Sequence, residues 1–193
     1  MAAKILVILG HPRVDSFGGA LANAYAEGAR QSGAEVRVLK LADLAFNPVL
    51  AGGYQALPEL EPDLVDAQNA ISWAEHLVFV YPTWWGTVPA LLKGFIDRAF
   101  LPGFAFQYRK DSIWWDRLLS GRSARLIVTM DQPPWYFRLI NRAPGHQMMK
   151  RTVLEFCGVK PVRISPFGPI RGTSDAQRAK ILEAVRALGN RRD

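Results

Sequence analysis

The stretch Leu77-Val78-Phe79-Val80-Tyr81-Pro82-Thr83-Trp84-Trp85-Gly86-Thr87-Val88-Pro89 decides the fold. Leu77 to Tyr81 is apolar without alternation, as in a central strand buried on both faces of a parallel sheet. Pro82 to Thr87 breaks that pattern. From Val88 to Phe100 apolar residues recur at helical spacing, with Pro89 near the first turn. A buried strand running at once into a helix is half of a parallel crossover unit.

The alternation extends in both directions. Lys4 to Leu9 is a buried-strand candidate, and Ser16 to Ser32 has Leu21, Ala24, Tyr25 and Ala29 on one helical face, with Gly33 as the stop. Glu35 to Leu39 alternates Val36 and Val38 with charges, as a second strand does. Ala42 to Pro62 is loop-like, broken by Asn47-Pro48, Gly52-Gly53, Pro58 and Pro62. Leu64 to Ala74 is a short helix before the quoted strand. Beyond it, Gly103 to Trp115 is aromatic and irregular, and Arg125 to Met130 is a fourth strand. Gln147 to Phe156 is a helix, Val162 to Pro166 a fifth strand, and Ser174 to Leu188 a closing helix capped by Ser174 or Thr173. The sum predicts an α/β fold: a five-stranded parallel sheet with helices on both faces, in one domain over residues 1–193. Such sheets bind ligands beyond the carboxyl ends of their strands, where strand order reverses. The loops after strands one, three and four are therefore where chemistry belongs.

Composition is globular, at 49% apolar and 21% charged residues, which excludes a disordered chain. The single cysteine, Cys157, lies at an apolar helix end, cannot form an internal disulfide and reads as core filler, which fits a reducing compartment. Met1-Ala2-Ala3-Lys4 precedes only the short apolar run Ile5 to Leu9, less than a signal peptide needs, and no stretch has the length of a membrane span. A cytoplasmic location is expected. The net charge of +7 at pH 7 is scattered and enriched only over Arg138–Arg151 and Arg186–Arg192, as solvated faces or attraction for anionic ligands; nucleic acid is not an expected partner. His11, His76 and His146 lack metal-ligand spacing, so no metal site is expected, and no Gly-x-Ser-x-Gly elbow points to a hydrolase.

The loop after strand one, Gly10-His11-Pro12-Arg13-Val14-Asp15-Ser16-Phe17-Gly18-Gly19-Ala20, leads straight into a helix. A helix N-terminus carries unpaired N–H groups and partial positive charge, so it suits phosphate. Ser16 adds a hydroxyl, Arg13 and His11 add donors, and Gly18 and Gly19 allow close approach. Plain capping by Asp15 or Ser16 accounts for the same residues. After strand three, the adjacent Trp84 and Trp85 suit a flat apolar cofactor, whose ring stacks while backbone N–H groups meet its heteroatoms. Alternatively they pack under the next helix or into a subunit interface, and at least one is expected to.

The block Tyr81-Pro82-Thr83-Trp84-Trp85-Gly86, then Pro89-Ala90-Leu91-Leu92-Lys93-Gly94-Phe95-Ile96-Asp97-Arg98, then Pro102-Gly103-Phe104-Ala105-Phe106, resembles the NAD(P)H:quinone oxidoreductase family of DT-diaphorase type. Gly10-His11-Pro12 and Ser16-Phe17 resemble it too, and the likeness runs from residue 4 to about 170. The resemblance implies a flavodoxin-like three-layer sandwich with strand order 2-1-3-4-5, a homodimer, and a flavin at each interface. It places the flavin phosphate at His11, Ser16, Phe17 and Gly18, with Ala20 at the helix start, and the isoalloxazine ring at Pro82, Thr83, Trp84, Trp85 and Gly86. Backbone N–H groups at Trp84 or Trp85 would face N5 or O4 of the ring.

The loop after strand four, Thr129-Met130-Asp131-Gln132-Pro133-Pro134-Trp135-Tyr136, departs from the family's glycine-rich pattern. Pro133 and Pro134 have no N–H to donate, so a stiffer wall with Trp135 as apolar lid is expected. Tyr136 falls where the family has a tyrosine near the ring, its hydroxyl stabilising charge on reduced flavin, with His146 helping or simply solvated. Trp114-Trp115 reads as dimer contact or core. The implied activity is hydride transfer from NADPH or NADH through flavin, FMN rather than FAD for so compact a chain, to a quinone-like acceptor by a ping-pong mechanism. Rival readings are a flavin-binding ancillary subunit of a potassium-efflux system, with a membrane-protein partner, and an azo- or nitroreductase. A flavodoxin-type electron carrier would be acidic, unlike this chain.

Overall fold

The computed structural model describes residues 2–191; Arg192 of the basic tail lies outside them, as do Met1 and Asp193. Strands β1 (Lys4–Leu9), β2 (Glu35–Lys40), β3 (His76–Pro82), β6 (Ser123–Thr129) and β7 (Val162–Phe167) form a parallel five-stranded sheet in the order β2-β1-β3-β6-β7. That is the expected path 2-1-3-4-5, renumbered because a hairpin of β4 (Phe106–Tyr108) and β5 (Trp115–Arg117) intervenes. The helices are α1 (Phe17–Gln31), α2 (Pro62–Trp73), α3 (Ala90–Ala99), α4 (Pro134–Leu139), α5 (Pro144–Gln147) and α6 (Asp175–Asn190); α5 continues into a π-helix over Met148–Glu155.

Side-chain alternation along the strands builds a core on each face. Ile5, Val7, Val78, Val80 and Ile127 pack with α1 and α6. Leu6, Ile8, Leu77, Phe79 and Leu126 pack with α2, α3 and the π-helix. The backbones of α1 and α6 touch through glycines: a Cβ on Gly28 would fall 2.0 Å from the Arg186 carbonyl oxygen, and one on Gly189 2.1 Å from that of Tyr25. The cap of α6 is Ser174, whose hydroxyl accepts from Gln177 N–H while the Gln177 side chain returns a bond to the Ser174 N–H.

Four details differ from the sequence reading. The irregular stretch 103–115 holds most of the β4–β5 hairpin, which ends two residues beyond it at Arg117. Trp115 stacks on Phe156 at 4.4 Å and donates to its carbonyl, whereas Trp114 is exposed. Residues 134–139 form α4, too short to show a periodicity. The helix expected over Gln147–Phe156 is mostly π-wound. The long loop after β2 is clamped from α3 by Arg98, which is 2% exposed and donates to the Asn47 and Glu59 carbonyls and, at 2.6 Å, to the Glu61 carboxylate.

Cys157 is buried against the π-helix, as core filler should be, and burial pushes its thiol pKa up to about 12. A disulfide reagent should therefore leave the native thiol untouched at neutral pH and titrate it fully in denaturant. Rapid modification of the folded protein would show that this packing is wrong.

Candidate functional site

The site forms where β1, β3 and β6 end side by side. Gly10 N–H donates to Val80 O at 2.8 Å and Thr83 N–H to Thr129 O at 2.7 Å, so the loops after these strands are tied to the same sheet edge.

In the first loop Ser16 caps α1, is 7% exposed, and accepts from Gly19 N–H at 3.2 Å. The capping alternative is thus realised by Ser16, not Asp15. Its hydroxyl hydrogen remains free to donate, and the N–H groups of Phe17 and Gly18 have no acceptor one turn back. Ala20 N–H is already bonded to Ser16 O, so it is no donor for a ligand. His11 Nδ1 accepts from Arg13 N–H at 2.9 Å, which puts its proton on Nε2 as a further donor. Burial holds this imidazole below its ordinary pKa and so favours the neutral form. The Arg13 guanidinium instead pairs with Asp15 at 3.2 Å, both side chains largely in solvent. The result is a cluster of donors from His11, Ser16, Phe17 and Gly18 at a helix N-terminus. Its chemistry suits a phosphate, so the donors present fit the phosphate end of a flavin nucleotide.

In the second loop Trp84 and Thr87 exchange two backbone hydrogen bonds of 3.0 Å, closing a two-residue turn at Trp85-Gly86. Both turn residues are left-handed, with φ of 50° and 78°. Glycine takes this conformation freely, but a tryptophan there is strained, and strained backbone clusters at functional sites. Neither tryptophan packs under a helix. Trp85 is fully exposed at the tip, and Trp84, 43% exposed, meets the His11 ring edge-on at 5.6 Å. That contact, which no sequence signal announces, joins the phosphate-type loop to the aromatic one. Trp84 N–H is spent on Thr87 O, so of the two N–H groups expected to meet a ring, Trp85's is the one left open. Gly86 O accepts from Gly145 N–H at 2.9 Å, anchoring the turn to α5.

In the third loop Thr129 is buried, Asp131 accepts from Arg171 N–H at 3.0 Å, and Pro133-Pro134 starts α4. The Pro-Pro pair is the one signal that marked this short helix in the sequence. Trp135 is 62% exposed and lies edge-on to Tyr136 at 5.8 Å. His146 is not a solvated loop residue: its ring sits edge-on to buried Phe137 at 5.0 Å, its Nε2 is buried with no hydrogen-bond partner, and burial lowers its pKa. It lines a groove of about 530 Å³ beneath α4 with Trp135, Arg138 and Ile164. Tyr136 is outside that lining, and its ring pairs with Trp135 while that of His146 pairs with Phe137. A second groove, of about 620 Å³, runs between α3 and the π-helix past Lys93, Ile96, Phe100, Met148 and Phe156.

The model of the flavodoxin-like fold family matches residues 3–191. A Haemophilus influenzae protein named an uncharacterized NAD(P)H oxidoreductase is 28% identical over 92% of this chain and 90% of its own. NAD(P)H dehydrogenase [quinone] 1 of Cavia porcellus is 33% identical over 54% of this chain; the chain covers 46% of that protein. In structure, the NAD(P)H:quinone oxidoreductase of Methanothermobacter marburgensis superposes over 100% of both chains with a TM-score of 0.85 at 23% identity, a likeness of fold.

Proposed function

The chain belongs to the flavodoxin-like fold family, and from that premise we propose that it is a flavin-dependent NAD(P)H oxidoreductase that reduces a quinone-like acceptor. The observation that carries this is the ring contact between His11 and Trp84, which sets a phosphate-type donor cluster beside an aromatic wall at one sheet edge. The oxidoreductase and quinone-dehydrogenase names of the two sequence relatives support it.

His11, Ser16, Phe17 and Gly18 hold the phosphate end. Pro82, Thr83, Trp84, Trp85 and Gly86 line the ring, with Trp85 N–H as the backbone donor to it. A flavin held by these residues would supply the redox chemistry, two-electron hydride transfer between NADPH or NADH and the acceptor. Around it, the tied loops orient the reactants. Nucleotide and acceptor use the same open face in turn, which is the basis of ping-pong kinetics. We assign the handling of a proton to Tyr136 and His146, which share no hydrogen bond or ring contact and would act separately. We read the cofactor as FMN, because the chain has little structure beyond the sheet and its helices for an adenine half, and the whole of residues 1–193 as one flavin-binding domain. The groove along α3 suits a second copy, giving a homodimer. The lone buried cysteine fits a cytoplasmic setting; among the described residues no helix is long and apolar enough to cross a membrane.

The purified chain is expected to be yellow, to release FMN on acid treatment, and to bleach under anaerobic NADPH or NADH. A quinone should then restore the colour. A protein that takes up flavin but is not bleached by either nucleotide would refute the oxidoreductase reading.

A further inference from the structure

Helix α4 holds large apolar side chains in solvent along the rim of the groove that His146 lines. Phe137 is wholly buried and pins the helix to the core, while Trp135, Leu139 and Ile140 are 62%, 67% and 60% exposed. At 100° per residue Trp135 and Leu139 lie within about 20° of the direction opposite Phe137, Tyr136 lies to one side, and Ile140 is exposed as the cap residue that ends the helix. Arg138 and Arg142 flank these side chains, both exposed and, among the described residues, without a carboxylate partner. From Gln132 to Leu154 the chain has no acidic residue; of its four cations Lys150 pairs with Glu155 at 4.0 Å, which leaves Arg138, Arg142 and Arg151. The helix ends in two consecutive left-handed residues, Arg142 and Ala143, which turn the chain sharply back toward α5 and leave α4 at a corner of the surface.

We propose that this corner is a docking surface for an anionic phospholipid bilayer. Trp135, Leu139 and Ile140 would enter the boundary between headgroups and acyl chains, and Arg138 and Arg142 would meet lipid phosphates. Aromatic and aliphatic side chains beside arginine are what an interfacial helix presents to a membrane. A second copy is the poorer occupant. Across a twofold axis the same patch faces itself, and Arg138 and Arg142 would approach their own counterparts as like charges. An anionic surface removes that repulsion. Because α4 starts directly after the Thr129–Pro133 loop, docking would set the candidate site at the bilayer surface. The inference stands on α4 alone and does not require flavin or the proposed activity.

The test is co-sedimentation of the full chain with phosphatidylcholine vesicles, with and without phosphatidylglycerol. Binding is expected only with the anionic lipid and should weaken as salt rises. Arg138→Glu with Arg142→Glu is expected to cut binding at least about tenfold, as charge reversal at an anionic surface should. Leu139→Ser with Ile140→Ser should reduce it at fixed salt. Two readouts guard against misfolding: circular dichroism of each variant, and the salt dependence of the unmodified protein. The proposal is overturned if anionic vesicles do not retain the parent protein, or if the folded variants bind as well as it does. It is also overturned if these substitutions break a self-association seen by sedimentation velocity while no lipid is bound. Quinone reductase activity with a water-soluble acceptor, measured alongside, tests the oxidoreductase reading separately.

Discussion

Arg98→Met should destabilise the protein by about 3 kcal/mol, the lower end of what breaking a buried ion pair costs. Arg98 lies 2% exposed on α3 and gathers the Asn47 carbonyl, the Glu59 carbonyl and the Glu61 carboxylate around one guanidinium. Methionine fills much of the volume but donates nothing, leaving two carbonyls and a carboxylate facing a thioether. The Glu61 side chain is 28% exposed and keeps a bond from Asn47 N–H at 3.0 Å, so part of its charge stays solvated and the loss stays below the top of the range. For a chain of this length each kcal/mol lowers Tm by about 2–4 °C. Thermal and urea unfolding followed by circular dichroism would measure it. Arg98→Lys should fall between, since one ammonium cannot span three acceptors. The Asn47 N–H bond also holds the Glu61 carboxyl below its ordinary pKa, so this contribution is full above the unfolded value and fades as acid protonates the native carboxylate. A loss under about 1 kcal/mol would mean that the clamp is worth no more than a surface pair.

The centre of the sheet was legible because β1, β3 and β6 are buried on both faces, while the edge strand β2 showed instead as Val36 and Val38 alternating with charges. Val78, Phe79 and Val80 have no polar alternative to packing, and the strand reading moved only by a residue or two at each end. The N-cap at Ser16 was legible for a similar reason: its side chain is the right type at the place where a loop meets a helical pattern. What failed to show were features decided by contacts across the fold. The β4 and β5 strands are three residues each, too short for alternation, and they form because Trp115 can stack on Phe156 from a different segment. The π-winding of Met148–Glu155 likewise has no residue signature. At the site, a Trp-Gly pair does not match the Asn-Gly type of tight turn, so the left-handed Trp85 is visible only in the coordinates. His146 read equally well as solvated or as a helper because burial beside Phe137 depends on the turn at Arg142-Ala143.

Gly19→Val is the substitution that most directly probes the phosphate end of the site, and it should lower FMN affinity by at least about a hundredfold, or ~2.7 kcal/mol. A Cβ at position 19 would lie 2.0 Å from the Val14 carbonyl oxygen and 3.2 Å from its carbon. Both are backbone atoms, so the Gly10–Ser16 loop must move as a unit instead of a side chain swinging aside. That movement carries His11 off the Trp84 ring and displaces the Ser16 cap, whose bond to Gly19 N–H orders the first turn. Flavin is therefore lost through geometry with every donor still present in the sequence. Gly18→Ala separates this from a general intolerance of side chains in the turn. Its Cβ would meet only Ser16 Oγ at 3.5 Å and Leu9 Cδ1 at 3.7 Å, ordinary contacts, and alanine favours helix over glycine by about 0.5–1 kcal/mol. It should fold at least as well as the parent. Ser16→Ala removes one donor and the cap without moving the loop, and should weaken FMN by about tenfold, near the ~1.5 kcal/mol of one hydrogen bond to a charged group. Fluorescence titration of apoprotein with FMN, with a melting curve for each variant, reads all three. If folded Gly19→Val binds FMN as the parent does, the phosphate does not sit at the start of α1.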